Sequence, residues 1–398
     1  MTDQELESEV AAWLAEHWRP DADETGADSM APRRSAWMAA VVEAGWAAPR
    51  WPREWHGAGL DDHQARIVER EFAKARAPGS GQDRSNLWAN TLLARGTEAL
   101  KSRLIAPLLR GEVGMCLLYS EPGAGSDLAG IRTRADANGE TYIVNGQKVW
   151  TSSAATADYG MLIARTDWDV PKHQGISFFF LPMKQAGVEV RPLRQITGES
   201  HFNEVFITDA LVPAENLFGA LGEGWRVLQT ALAYERSVMG EMARGPRSGA
   251  AESKTEEPLI ALAREAGVLA DPVLRQDIAR VLAYKQLNAL NTARAKADLK
   301  QGTSSPIMSL GKLAMSRILH EEARVRTAIL GAGSLLEGPA HPRAEDANFL
   351  TLNAYFTSIG GGTDQIQRNI IGERVLGLPK EPEVDRDVPF RQVRGGQT

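Results

Sequence analysis

The chain has 398 residues, 43% hydrophobic and 24% charged, with a formal net charge of −6 and one cysteine. That length allows two or three domains with buried cores, the charge argues against nucleic-acid binding by bulk electrostatics, and one cysteine excludes an internal disulfide and fits a reducing cytoplasm. No apolar run reaches bilayer-spanning length, MTDQELESEV is too acidic and polar for a secretory signal, and seven scattered histidines without ligand spacing predict no metal site.

Residues 1–115 read as helical. Thr2 with Glu5 forms a capping box, and Val10, Trp13, Leu14 and Trp18 recur at helical spacing. GWAAPRWPREWHGAGL (residues 45–60) breaks that pattern with prolines and glycines and reads as an ordered loop. Helical pattern resumes near Asp62.

From 116 to 220 the texture becomes short, β-branched or aromatic runs bounded by turn residues: YIVNGQKVW, YGMLIART, GISFFFLPM and NEVFITD. Their spacing suggests a small antiparallel barrel or sandwich. Cys116, in the apolar run MCLLYS, reads as a small core residue rather than a nucleophile. Residues 221–380 return to helices. PVLRQDIARVLAYKQLNALNTARAKADLKQG predicts a long one with Gly302 as C-cap, and PIMSLGKLAMSRILHEEARVRTAILGAG another with Pro306 near its start. Residues 244–258 read as a flexible polar loop. The charged tail, 381–398, reads as an arm that wraps a neighbouring subunit.

The chemistry concentrates in YSEPGAGSDLAGIRTRADANGETYIVNGQKVWTSS, residues 119–153. Gly123 and Gly125 let backbone approach a ligand closely, and successive amides of such a turn form an anion nest. EPGAGSD is not a G-x-G-x-x-G fingerprint. Asn145-Gly146 predicts a tight hairpin turn between YIV and KVW. Trp150 then presents an aromatic face beside Thr151, Ser152 and Ser153, a wall suited to a planar, phosphate-bearing cofactor.

This segment resembles the flavin-binding region of the acyl-CoA dehydrogenase family. The resemblance continues through RPLRQITGESHFNEVFITDALVPAENLFG (191–219) and GGGTDQIQRNIIGERVLGLP (360–379). It implies an α+β architecture: an N-terminal α-helical domain, a middle antiparallel β-barrel domain and a C-terminal four-helix bundle. It further implies an FAD enzyme that removes the α-proton of an acyl-CoA thioester with a carboxylate base and passes the β-hydrogen as hydride to flavin N5, making the 2-enoyl-CoA. By the same resemblance Tyr119 and Ser120 face the isoalloxazine edge. Gly125 and Ser126 line the flavin and the acyl-CoA entry, Trp150 packs on the flavin, and Ser152 approaches N5. Thr363 and Gln365 match positions near the flavin phosphates and adenine. An electron-transferring flavoprotein is the implied acceptor.

Two departures matter. The family's usual glutamate before a Gly-Thr pair is replaced by Gly361, which with Gly362 leaves substrate space but no base. Branches such as isovaleryl-CoA dehydrogenase carry the base on an earlier helix before an arginine. Here that motif is Tyr234-Glu235-Arg236, so the resemblance names Glu235 as base, Arg236 as its support and Tyr234 as a substrate neighbour. The family's Arg-x-x-Phe-Gly segment and a later glutamine that grip a neighbour's flavin are also missing; AILGAGSLLEG has Ala328 and Ile329 instead. That loss fits either divergence within a homo-oligomer or a heterotetramer with a related subunit, as in the steroid side-chain branch whose larger subunit this chain resembles. Plainer readings exist for two positions: Trp150 as a core tryptophan and Glu235 as a solvated, paired carboxylate. Asp364 is the nearest fallback base. The competing functions are a supporting subunit that completes a partner's flavin site, and a same-fold flavin monooxygenase or oxidase.

Overall fold

Helix α1 (Asp3–His17) starts where the capping box predicts: Thr2 Oγ1 accepts the Glu5 N–H at 3.3 Å and Glu5 Oε2 accepts the Thr2 N–H at 2.6 Å. In this computed structural model, residues 1–19, 27–242, 257–300 and 308–393 are described. They divide into two compact units. The first is Met1–Leu193, Ser200–Ala251 and Val384–Thr398; the second is Arg194–Glu199 and Glu252–Glu383.

The first unit opens with α1, α2 (Ala27–Glu43), α3 (Asp62–Lys74), α4 (Gln82–Ser85), α5 (Leu87–Arg95) and α6 (Glu98–Arg110). The 45–60 loop is ordered. Trp46 and Trp51 bury their rings, and Arg50 binds Glu69 at 2.8 Å and Asp83 at 3.1 Å.

Seven strands follow: β1 (Met115–Leu118), β2 (Arg134–Asn138), β3 (Thr141–Ser152), β4 (Tyr159–Arg165), β5 (Ile176–Pro182), β6 (Val188–Leu193) and β7 (Phe202–Pro213). They pair in the order β1-β4-β2-β3-β7-β6, with β5 also on β4. The pairings are antiparallel except where β1 and β2 each meet β4 in parallel. The run Phe178-Phe179-Phe180 shows why β5 is continuously apolar. Phe178 and Phe180 join the core shared with the helices, while Phe179 joins the core on the other face of the sheet. A strand buried on both faces needs apolar residues at every position.

The expected turn at Asn145-Gly146 is not a turn. β3 runs straight through it, and the register against β7 slips between Val144 and Gly146. Asn145 Nδ2 donates to Asp209 Oδ1 at 2.9 Å, and the Asp209 N–H returns a bond to Asn145 Oδ1 at 3.0 Å. Glycine is required because a Cβ at 146 would sit 2.7 Å from Thr133 Cα. This is a bulge held by a cross-strand pair. The β2–β3 hairpin closes earlier, at Gly139, whose φ of 61° relieves the tight two-residue link.

Helix α7 (Gly224–Met242) begins against β5: a Cβ on Gly224 would lie 2.5 Å from the Ser177 carbonyl carbon. Val227, Leu228 and Ala231 bury the inner face of α7 in the helical core, so this helix packs within the first unit. In the tail, Phe390 donates its N–H to Val170 O at 2.9 Å and buries its ring, while Arg391 pairs with Asp169. An aromatic plus a buried guanidinium to cover gives the tail a site on its own chain.

The second unit holds α8 (Pro258–Glu265), α9 (Pro272–Lys300), α10 (Met308–Leu330), α11 (Pro342–Ile359) and α12 (Asp364–Ile370). Leu259, Leu262, Ile278, Val281, Val325 and Ile329 form its core. The predicted flexible loop, apart from its last two residues, lies outside the described residues, as do Gly302 and Pro306. Among the described residues no helix is long and apolar enough to cross a membrane.

Candidate active site

The 119–133 segment follows β1 and buries Tyr119, Ala124, Ala129 and Ile131 in the helical core. Gly123, Gly125, Ser126 and Asp127 face solvent, and a Cβ on Gly123 or Gly125 would meet nothing within 4 Å. The chain's own packing therefore does not demand these glycines. Beside the loop, β3 breaks register a second time, between Lys148 and Thr151. The break turns Trp150 outward: its backbone is left-handed, with φ 63°, and its side chain is 56% exposed. Trp150 is thus no core tryptophan. A bulky residue held in that conformation stores strain of order 1–3 kcal/mol, the kind found where a site shapes its backbone. Ser152 and Ser153 are exposed next to it, while Thr151 is buried and donates to Leu117 O at 3.0 Å.

Tyr119 has its side chain in the helical core, 7% exposed and edge-on to Phe178, with its hydroxyl 3.8 Å from Met161 Sδ. Burial, and then the Glu235 carboxylate, hold the Tyr119 phenol well above the usual tyrosine range. Tyr234, the residue before Glu235 on α7, packs against the same core cluster as Tyr119. Tyr234 and Glu235 are half-buried, and Glu235 has an interaction partner. Arg236 follows on the same helix; its side chain lies outside the described residues.

Sequence reasoning missed two buried cations that hold this region. Lys148 is 0% exposed at its side chain and lies 2.8 Å from Glu121 Oε1, itself 9% exposed. Burial pushes the Glu121 carboxyl up, but the Lys148 ammonium outweighs it and holds the group below its ordinary value. Arg165 is fully buried and donates to the carbonyls of Ala129, Ile131 and Lys172. Burial pushes its guanidinium down to about 10. No local signal marked Lys148 as buried, because its partner Glu121 is 27 residues away in sequence. Cys116 is buried and its thiol is pushed up to about 12, which makes it inert.

The remaining candidates belong to the second unit. Gly361 and Gly362 both adopt positive φ, 64° and 90°, where glycine alone is at ease. Thr363 caps α12, its Oγ1 accepting the Ile366 N–H at 3.2 Å, and Gln365 is exposed. Buried Gln367, overlooked in the sequence, closes the turn onto Gly361 O at 3.4 Å. Asp364 is committed elsewhere: Ser316 donates to it at 2.8 Å and Lys312 lies 3.3 Å away.

Three family models cover nearly the whole chain: acyl-CoA dehydrogenase, N-terminal domain at residues 2–112, middle domain at 116–210 and C-terminal domain at 222–376. Acyl-CoA dehydrogenase IpdE1 of Mycolicibacterium smegmatis is 35% identical across 95% of this chain and 98% of its own. The chain belongs to the acyl-CoA dehydrogenase family. Acyl-CoA dehydrogenase FadE34 of Mycobacterium tuberculosis is 37% identical over 86% of this chain, which spans 46% of that longer relative. Among solved structures, the Tcur3481-Tcur3483 steroid ACAD superposes with TM-score 0.69 at 27% identity, covering 95% of this chain and 98% of that one. The ChsE4-ChsE5 complex from Mycobacterium tuberculosis gives 0.65 at 29% over the same shares.

Acyl-CoA dehydrogenases are FAD-dependent oxidoreductases, and the residues present suit that group. An exposed aromatic ring, exposed hydroxyls at Ser126 and Ser152 and an unfilled glycine loop offer a stacking face, donors and room for phosphates.

Proposed function

We propose that this dehydrogenase uses Glu235 as its α-proton base. The observation that carries the reading is that Tyr234-Glu235 of α7 lies half-buried, with Tyr234 packed against the same core as Tyr119, the residue that opens the cofactor loop. Two further facts support it. The glycine turn at 360–362 offers no carboxylate, and Asp364 is held by Ser316 and Lys312. When bound, FAD accepts the β-hydride. The chain's own part is to position and to move the proton. Trp150 supplies a flat wall, the Gly123–Ser126 backbone and the hydroxyls of Ser120, Ser126 and Ser152 supply donors, and Glu235 takes the α-proton as the thioester oxygen gains charge. Arg236 supports that base, Tyr234, Gly361 and Gly362 border the acyl group, and Thr363 and Gln365 are FAD contacts of the second unit.

The substrate we assign is an acyl-CoA carrying a steroid-derived group, and the assembly a heterotetramer with a related subunit. The support is the likeness to a steroid ACAD and to a two-protein complex, together with the absence of the Arg-x-x-Phe-Gly segment from this sequence. An electron-transferring flavoprotein takes the electrons onward. The test is Glu235→Gln in the assembled enzyme. Turnover should fall by roughly 10²–10⁴-fold with FAD content unchanged; unchanged turnover would remove Glu235 from the mechanism and favour a supporting role for this chain.

A further inference from the structure

The loop that carries Gly123, Gly125 and Ser126 buries Ala124, Ala129 and Ile131 and is held at the Ala129 and Ile131 carbonyls by Arg165, while its glycines and Ser126 face solvent. Both ends meet at one carboxylate. Glu121 Oε2 accepts the Arg132 N–H at 2.6 Å and Oε1 accepts the Thr133 N–H at 2.9 Å, closing a loop across eleven residues of sequence. The same Oε1 receives Lys148 Nζ at 2.8 Å, and Nζ also donates to Tyr119 O at 3.1 Å. Lys148 sits two residues before Trp150, at the edge of the second register break. The neighbouring Val149 N–H donates to Ser120 O at 2.9 Å. One ammonium thus ties the start of the loop, its return and the strand that presents the tryptophan.

Stability alone does not account for this choice. Desolvating two charges costs several kcal/mol per ion, and a well-packed apolar pair of similar volume is often as stable. What methyl groups cannot do is hold three backbone groups and a strand at hydrogen-bond distances. We infer that the buried Lys148–Glu121 pair is a positioning device, fixing the glycine loop against the Trp150 bulge so that both walls of the cofactor site stand at one spacing. The inference rests on the reading of those walls as the FAD site. Lys148 and Glu121 act through the loop and the bulge, not on substrate.

The test compares the wild-type assembled enzyme with assemblies carrying Lys148→Met or the double variant Lys148→Met/Glu121→Met in this chain. The single variant strands a buried carboxylate and is expected to unfold at lower temperature. The double variant should melt above the single one, because no unpaired charge is left. If the pair positions the loop, hydrogen exchange in peptides spanning 119–133 rises in the double variant while the rest of the chain is unchanged. FAD should bind roughly ten- to a hundredfold more weakly, with the fine structure of its visible band blurred. A double variant that keeps wild-type exchange, FAD affinity and spectrum would overturn the inference. An assembled wild-type enzyme that takes up no FAD overturns the flavin reading instead, and the exchange comparison then decides the positioning role by itself.

Discussion

The Trp150 ring meets Phe202 edge-on, with centroids 5.8 Å apart and planes at 83°, across the bulge where β3 faces β7. Phe202 props the tryptophan from one side and leaves its other surface to solvent. Trp150→Ala should therefore cost the apo-protein no more than about 1 kcal/mol. Trp150→Gly should melt no lower than the alanine variant, since glycine takes φ 63° without a Cβ. Both should lose FAD affinity, read by fluorescence titration. Retained affinity in both would return Trp150 to an incidental surface role.

Asp364 and Glu235 make opposite predictions. Asp364 ends a hydrogen-bonded chain in which His320 Nε2 lies 2.7 Å from Ser358 Oγ, and Ser358 2.7 Å from Ser316 Oγ. A carboxylate engaged there serves α12 rather than a substrate proton. Asp364→Asn should cost about 1–3 kcal/mol of stability and change turnover less than roughly tenfold. Loss of turnover in Asp364→Asn combined with an active Glu235→Gln enzyme would reverse the assignment.

Acid should loosen the cofactor loop before it unfolds the helices. The Glu121 carboxyl lies below its ordinary value of 4.5 in the folded chain. A depressed carboxyl contributes stability that is complete above 4.5 and is lost as pH falls through the folded value. FAD release measured against pH should thus hold level to about 4.5 and then rise, in a step that Glu121→Gln removes. A release curve unchanged by that substitution would show that another group governs acid sensitivity.

Phe390 lies 3.4 Å from the Arg165 guanidinium, measured to the ring centroid, and is almost fully buried. Phe390→Ala opens a cavity and exposes a cation whose remaining partners are three carbonyls and the Trp168 ring. A loss of about 3–5 kcal/mol is expected, visible as a lower melting temperature with unchanged subunit stoichiometry. A change in stoichiometry instead would mean that the tail also serves an interface.

Local pattern carried much of this protein. The Thr2–Glu5 cap, the aromatic run of β5, the long apolar helices and the glycine-and-serine loop before Trp150 all have short-range causes, and each was legible one residue at a time. Gly361 gained its meaning only from the family resemblance, whose usual carboxylate it lacks and which names Glu235 in its place. Other features depend on partners distant in sequence. Asn145-Gly146 has the composition of a turn, yet Asp209 opposite and Thr133 alongside make it a bulge. Lys148 has the composition of a solvent-facing strand residue, yet Glu121 and Tyr119 O draw it wholly inside. Tyr119 turns into the core and Phe390 returns to cover Arg165 for the same reason. Register, desolvation and the docking of a tail are set by which surfaces the folded chain brings together. A sequence states the residues' preferences, and only the tertiary structure decides which preference each neighbour allows.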